Sequence, residues 1–407
     1  MTSVLYISYD GMLEPLGQSQ VLAYLEQLSK NVEIHLISFE KIEDWKKKKL
    51  RQAVQARIRQ AGIIWHPLRY HRNPSVLATA YDIACGIAVG AGVALRHRID
   101  IIHARSYVAA AMTLAIKIFT RAKFLFDMRG FWADERIDGG IWRRGSLVYR
   151  ITKGLERRFL QSADHVVTLT KASEREIVRF PYLQNRMPPL SVIPTCADLE
   201  RFCLNGEGPK GPFTLGHVGS TGTWYLFPET LAFFKTIEQF HPDALLLVVS
   251  RDPHDAIRAA AKRAGIADAK LDLVAADHRD IPKYLARMHA AAAIIKPVYS
   301  KIASAPTKLA EYLGCGVPCV GNVGVGDMQT IIEGEGVGVL LTDFSDADRQ
   351  AAAKKLFLLL AEPGLRQRCA AAAKRLFSLE TGVLAYLQIY QRLASLSPSV
   401  NNDEGIP

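Results

Sequence analysis

The sequence predicts an α/β protein built from two Rossmann-like domains. Three observations carry this. At 407 residues the chain exceeds one ordinary domain and suits two. Short runs of β-branched and small residues alternate with longer helical segments, the pattern of parallel sheets covered on both faces. Between two such series lies Asn205-Gly206-Glu207-Gly208-Pro209-Lys210-Gly211-Pro212, a linker by its glycines and prolines.

Residues 4–9 form the first strand, followed by a loop at 10–18 containing Gly11 and Gly17, then a helix at 19–28. A glycine loop between a first strand and helix presents backbone amides to a ligand. It lacks Gly-x-Gly-x-x-Gly spacing, so no dinucleotide cofactor is expected. Residues 32–38 make the second strand. Lys46 to Lys49, with Arg51, Arg57 and Arg59, read as one basic helix. The apolar stretch 74–95 has transmembrane length. Asp82 within it, its glycines and alanines, and the closing Arg96-His97-Arg98 favour a buried or interface-lying helix.

Residues 100–106 form a strand with a polar end carrying His103 and Arg105, and 123–126 form another. The latter runs into Asp127-Met128-Arg129-Gly130-Phe131-Trp132-Ala133-Asp134-Glu135-Arg136. Charge and aromatics so dense after a strand suit recognition of a sugar or phosphate-bearing acceptor, with Asp127, Arg129, Trp132 and Glu135 as candidates. A second basic helix holds Arg143, Arg144, Arg150, Lys153, Arg157 and Arg158. Leu147, Ile151, Leu155 and Phe159 recur on its opposite face at helical spacing. Residues 165–170 are read as the last strand of the first domain.

The second domain opens with a strand at 213–218 and the loop Gly219-Ser220-Thr221-Gly222, whose glycines and hydroxyls permit close approach to phosphate. Strands at 244–250 and 270–275 follow, the former ending at Arg251. A buried strand at 290–295 leads to Ser304-Ala305-Pro306-Thr307-Lys308. Pro306 suits the first helical position, and Ser304 or Thr307 would serve the free amides. The helix amino end favours phosphate, Lys308 adds a positive charge, and Glu311, one turn on, suits two adjacent sugar hydroxyls. Gly314 and Gly316 end that helix before a strand at 318–321. Asp346-x-Asp348 follows Ser345 and reads as the acidic first turn of a helix rather than a metal pair. The six cysteines show no metal-ligand spacing, and no metal site is expected.

The net charge of +11 divides unevenly. Residues 1–195 carry 29 Lys+Arg against 17 Asp+Glu; the remainder carry 22 against 23. The first half therefore holds all the excess, gathered on two helices. This suits an anionic membrane surface or a phosphorylated partner, and no nucleic-acid motif accompanies it. The chain runs from Met1-Thr2-Ser3 directly into a strand, so a cytoplasmic protein is expected, peripheral on the inner face of the cell membrane.

The segment Ser304-x-Pro306-Thr307-Lys308-x-x-Glu311-Tyr312-Leu313-x-x-Gly316-x-Pro318 resembles the donor-binding segment of the retaining GT-B glycosyltransferases (group 1, family 4-like). The resemblance implies a GT-B fold: two Rossmann-like domains facing a central cleft. It implies an acceptor-binding domain at 1–195 and a donor-binding domain at 196–380. A helix at 381–395 would return to the first domain, ahead of a disordered tail at 396–407. Glu311 would hold the donor ribose and the helix end its diphosphate, with Gly17, Ser220, Thr221, Ser304, Thr307 and Lys308 as further donor contacts. Relatives carry an arginine where Ser220 stands, and Arg251 is assigned the missing charge. His103 and Arg105, at a strand end where relatives place histidine near the acceptor, join Lys308 as candidate catalytic groups. One departure is plain: the family's second glutamate, facing the transferred sugar, is here Ala303.

The expected activity is metal-independent, retaining hexosyl transfer from a nucleotide diphosphate sugar to a hydroxyl, in cell-surface polysaccharide or glycolipid synthesis. The donor is a substrate, and no cofactor is expected. The acceptor would be lipid-linked or phosphorylated. Alternatives are a nucleotide-sugar 2-epimerase of the same fold class and a non-catalytic nucleotide-sugar or polyanion-binding protein.

Overall fold

The structure is a computed structural model and describes residues 1–395. The tail expected to be disordered at 396–407 lies outside them. Two sheets organise the chain, and every pairing within each is parallel. The first contains β1 (Ser3–Ser8), β2 (Glu33–Glu40), β3 (Ile64–Arg69), β4 (Ile101–Arg105), β5 (Lys123–Asp127), β6 (His165–Thr168) and β7 (Leu190–Val192), in the order β3-β2-β1-β4-β5-β6-β7. The second contains β8 (Thr214–Val218), β9 (Leu245–Val249), β10 (Leu271–Val274), β11 (Ala290–Ala292), β12 (Cys319–Asn322) and β13 (Gly338–Leu341), in the order β10-β9-β8-β11-β12-β13. Central strands β1 and β4 are buried along their whole length, as helices on both faces require. The strand direction of travel reverses between β1 and β4, and again between β8 and β11. Ligands in open parallel sheets bind at the carboxyl ends beside such switch points.

Several boundaries differ from expectation. Residues 190–192 add a strand to the first sheet beyond β6, which the sequence reads as its last. Strand β13 was not anticipated. Lys46 and Lys47 occupy the break between helices Ile42–Trp45 and Lys48–Gln60, so the first basic group is a helix–turn–helix edge. The loop after β1 is helical from Pro15 and contains a wide π turn at Gln18–Leu22. Buried Glu40 holds this loop by accepting from the amides of Met12 (2.8 Å) and Leu13 (3.1 Å).

Helix Ser75–Arg96 is long and apolar enough to cross a membrane by length and composition. Here it lies along the first sheet. Gly86 and Gly90 meet Met112 and Ile116 of helix Ser106–Phe119 so closely that a β-carbon would collide with either side chain. Buried Asp82 accepts from Tyr9 Oη (2.8 Å) and the His71 amide (3.0 Å). The last helix, Leu379–Ser395, packs Val383, Tyr386, Ile389, Tyr390 and Leu393 into the core on one face of the first sheet.

The sheets meet along one side of the cleft. Lys301 pairs with Glu135 (2.5 Å), Asp138 accepts from the Ser300 amide (2.9 Å), and Phe131 stacks on Tyr299 at 5.4 Å. Asp327 accepts from the amides of Lys171 and Ala172 at 2.6 and 2.9 Å.

Candidate functional site

The helix Thr307–Gly314 leaves the second sheet beyond the carboxyl end of β11. Pro306 is its N-cap rather than its first helical residue, and among the described residues no side chain caps it. The expected capping by Ser304 or Thr307 is therefore corrected. The reason is conformational: Pro306 is extended (φ −67°, ψ 121°), and Ser304 is engaged through its backbone, its carbonyl lying tight against Gly326. An uncapped amino end keeps its amides available to an anion.

Lys308, in the first turn, is the most informative side chain. It is only 9% exposed, and its amine makes no hydrogen bond among the described residues. Its Nζ sits 3.3 Å from the centroid of the Tyr225 ring. Burial pushes the ammonium down from its ordinary 10.5 to about 7, only partly opposed by Glu311 and Asp252. The loop after β8 closes on it: Gly219 adopts φ +91°, and a β-carbon there would stand 3.1 Å from Lys308 Cε. Glycine is required at this position on both counts.

Ser220 and Thr221 come next, both tied to Asp252. The Thr221 amide donates to Asp252 at 2.7 Å, its hydroxyl at 2.9 Å, and the Ser220 hydroxyl at 3.2 Å. Those bonds, the Thr221 amide first, hold the Asp252 carboxyl below its ordinary range. Asp252 was not anticipated; its only signal was its place one residue past Arg251. Arg251 itself pairs with Asp277 and donates to the Ala276 carbonyl at 3.1 Å. It lines an open pocket of about 530 Å³ with Ala276, Asp277, Asp280, Lys283 and Tyr284. Its charge is thus committed to the pocket wall, whereas Lys308 beside the Gly219 loop has no hydrogen-bond partner among the described residues.

Glu311 is buried on the same helix and hydrogen-bonds His278 Nε2 at 2.7 Å. His278 was missed in the sequence, where a lone histidine in the loop after the strand at 270–275 carries no spacing signal. Gly17, read as a donor contact, is buried against its own loop: a β-carbon would lie 2.0 Å from the Gly11 carbonyl oxygen. Local packing explains that glycine.

Across the cleft the carboxyl ends of β4 and β5 assemble His103, Arg105, Asp127 and Arg129. His103 is 1% exposed and hydrogen-bonds Tyr390 of the last helix at 2.7 Å. Burial lowers its pKa despite Asp127, 3.6 Å away, so the imidazole is neutral. It is closed off from solvent and lines a small cavity with Arg105, Asp127 and Arg129. Asp127 is also buried, which alone would raise its pKa. Arg129, His103 and Arg105 outweigh that and hold it below the ordinary carboxyl range. Tyr386 donates to Asp127 at 3.1 Å. Both arginines stand 3.9 Å from the same carboxylate oxygen, and Arg105 also reaches Asp10 at 3.4 Å. Two guanidinium groups thus share one buried carboxylate, with a small cavity of about 10 Å³ among them and Tyr6, Gln20, Tyr24 and Tyr386.

Arg129 holds φ +59°, a costly conformation for a residue with a side chain, and Gly130 comes after it at φ +142°. The turn sets Gly130 against the second domain, 3.6 Å from the Ala303 carbonyl for a β-carbon placed there. Ala303 itself is fully buried in the core cluster of the first domain. Trp132 and Glu135 stand apart from the arginines. Trp132 packs on Tyr107 and Trp142 under Arg136, and Glu135 is taken by Lys301. The structure therefore joins Asp127, Arg129, His103 and Arg105, and separates Trp132 and Glu135 from them.

Residues 20–195 match a family model described as the glycosyl transferase 4-like domain. A search of curated proteins finds no match. Among solved structures, the chain is similar to sucrose-phosphate synthase from Thermosynechococcus elongatus, with a TM-score of 0.70 at 14% identity, covering 98% of this chain and 100% of that one. It is similar to Anabaena HepE in complex with UDP and glucose, with a TM-score of 0.66 at 15% identity, over 97% of this chain and 100% of that one. A glycosyltransferase from Rickettsia africae gives 0.69 at 13% identity, over 97% and 99%. The fold of the whole chain is thereby shown to be that of the GT-B glycosyltransferases.

Proposed function

We propose that the chain transfers a hexosyl unit from a nucleoside diphosphate sugar to a hydroxyl acceptor, with retained anomeric configuration and without a metal ion. The observation that carries this reading is Lys308: a buried amine without a hydrogen-bond partner among the described residues, beside an uncapped helix end and a glycine loop. Leaving a cation so placed is costly unless an anion meets it. A sugar diphosphate supplies that anion. As the bond from the anomeric carbon to the diphosphate breaks, its electron pair goes to phosphate oxygen; the acceptor hydroxyl oxygen bonds to that carbon from the same face, and its proton passes to the departing diphosphate. The ammonium and helix amides stabilise the charge that develops there. These groups stand where a metal would otherwise be needed, which is the basis for expecting metal independence.

Glu311 takes the ribose hydroxyls once His278 yields, and the pocket beside Arg251 takes the base. The Anabaena protein's complex with UDP and glucose supports such a donor. Arg129 faces the acceptor and suits one bearing phosphate, with the buried Arg105 behind it holding Asp127 and Asp10. The absence of a carboxylate at Ala303 fits leaving-group stabilisation better than double displacement through a covalent sugar.

We place this activity at the inner face of the cell membrane, in synthesis of a surface polysaccharide or glycolipid. On helix Leu147–Ser162, Phe159 is buried, as its spacing suggested. Leu147, Ile151 and Leu155 are 71%, 54% and 37% exposed, so the rest of the apolar stripe faces outward beside Arg143, Arg144, Arg150 and Arg157. An exposed apolar stripe flanked by arginines suits an anionic bilayer.

The test is a panel of nucleoside diphosphate sugars scored by thermal stabilisation, with subsequent product analysis in the presence and absence of acceptor. A ligand that binds only the native chain at about 100 times its Kd stabilises it by about 2.7 kcal/mol. A chain that no sugar nucleotide stabilises would overturn the reading. Isomerised sugar released without acceptor would favour the epimerase.

A further inference from the structure

At the amino end of β2, opposite the cleft, Glu33 and His35 point toward His97, the residue that ends helix Ser75–Arg96. Among the described residues, their three ligand atoms lie within 4.8 Å of one another. His35 is fully buried, with its Nε2 3.2 Å from Glu33 Oε1. Two ligands on a tetrahedral zinc, each bonded at about 2.0–2.1 Å, stand roughly 3.3 Å apart. The spacing already present is that of a bound pair. The rings of His35 and His97 are 4.2 Å apart between centroids, and both Glu33 and His97 are exposed side chains free to close the remaining distance by rotation.

A fourth residue completes the design. His66 Nε2 lies 3.3 Å from His35 Nδ1, the nitrogen turned away from Glu33. Such a partner fixes the ring orientation of a metal-bound histidine. Without an ion, His35 donates from Nε2 to the Glu33 carboxylate and accepts from His66 at Nδ1. With an ion on Nε2, the His35 proton sits on Nδ1 and is donated to His66, whose own proton sits on Nδ1. The two rings exchange tautomers and neither gains charge.

We propose that Glu33, His35 and His97 form a site for a borderline divalent transition ion of the zinc type, completed by water and oriented by His66. Two imidazoles and one carboxylate suit zinc better than calcium or magnesium, which take oxygen ligands. The ion would join the start of β2 to the carboxyl end of helix Ser75–Arg96, where the negative end of the helix dipole also favours a cation. Its place away from the cleft makes it a structural site, independent of the proposed glycosyl transfer.

The test uses the full chain without a histidine tag, stripped with chelator and titrated with zinc chloride by calorimetry. The expected result is one ion bound per chain and a rise in the thermal midpoint. H97A and E33Q, both changes at exposed side chains, should leave the metal-free midpoint near that of the unaltered chain and weaken zinc binding by about 10–100-fold. Absence of binding by the unaltered chain overturns the proposal. So does binding of equal strength in both variants, which would place the ion elsewhere, for instance on cysteines.

Discussion

Lys308→Met tests the core of the proposed donor site. In the unliganded chain, burial holds the lysine at about 7 against an ordinary 10.5. That gap corresponds to on the order of 5 kcal/mol, the ceiling on what a bound anion recovers by restoring the charge. Below pH ~7 the amine is already protonated and donor affinity is at its maximum. Above it, binding must take up a proton, so affinity falls by about tenfold per pH unit until the ordinary value is approached. At about pH 8 the uptake is roughly 0.9 proton per donor bound. Calorimetry in two buffers of different ionisation enthalpy measures this directly. A nucleoside diphosphate sugar is the right ligand, since its diphosphate is esterified at both ends and does not titrate near neutrality. Lys308→Met should abolish the uptake and weaken binding. The sign for stability is opposite in sense. Between pH ~7 and ~10.5 the unfolded chain binds the extra proton, so the unliganded protein gains stability as pH rises through that window, and the methionine variant loses this slope. Tight donor binding with no proton uptake in the unaltered chain, or equal uptake in the variant, would refute the assignment.

Glu311→Ala should weaken donor binding by about 1.5–3 kcal/mol while leaving the unliganded fold intact; unchanged affinity by calorimetry would remove Glu311 from the site. Asp127→Ala leaves Arg105 and Arg129 without their shared partner and should cost about 3–5 kcal/mol, read as an earlier urea transition of the first domain. Because the folded pKa of Asp127 is depressed, its contribution is present above the unfolded carboxyl range near ~3.9 and lost as pH falls through the folded value. Replacing Leu147 and Ile151 by serine, or neutralising Arg143, Arg144, Arg150 and Arg157, should release the chain from anionic vesicles, with about 1 kcal/mol lost per arginine engaged. Co-sedimentation equal to that of the unaltered chain would place the acceptor among soluble molecules. Activity should survive chelator treatment, and strict dependence on added magnesium or manganese would contradict the proposed leaving-group chemistry.

The two-sheet architecture was legible in the chain alone, because strands buried on both faces are written as near-continuous apolar runs, as at 244–249 and 290–295. So was the donor helix, whose start, lysine, glutamate and closing glycines lie within a dozen residues and act locally. Charge separation was legible by counting, although the break at Lys46 and Lys47 was not, since a continuous lysine run carries no signal for where its helix begins. Relations between distant segments emerged only in the folded molecule. That Lys308 is buried depends on Tyr225 and the turn at Gly219 closing over it, more than 80 positions away in the chain. The burial of His103 likewise depends on the last helix, whose Tyr390 hydrogen-bonds it from 287 positions away. Trp132 and Glu135 shared a segment with Arg129, yet the left-handed turn at Arg129 directs the next residues toward the other domain, where Glu135 meets Lys301. Glu33, His35, His66 and His97 carried no motif spacing at all, because adjacent parallel strands and a helix end, rather than sequence neighbours, bring them together. Periodicity records which face of an element is buried; it does not record which other element covers that face.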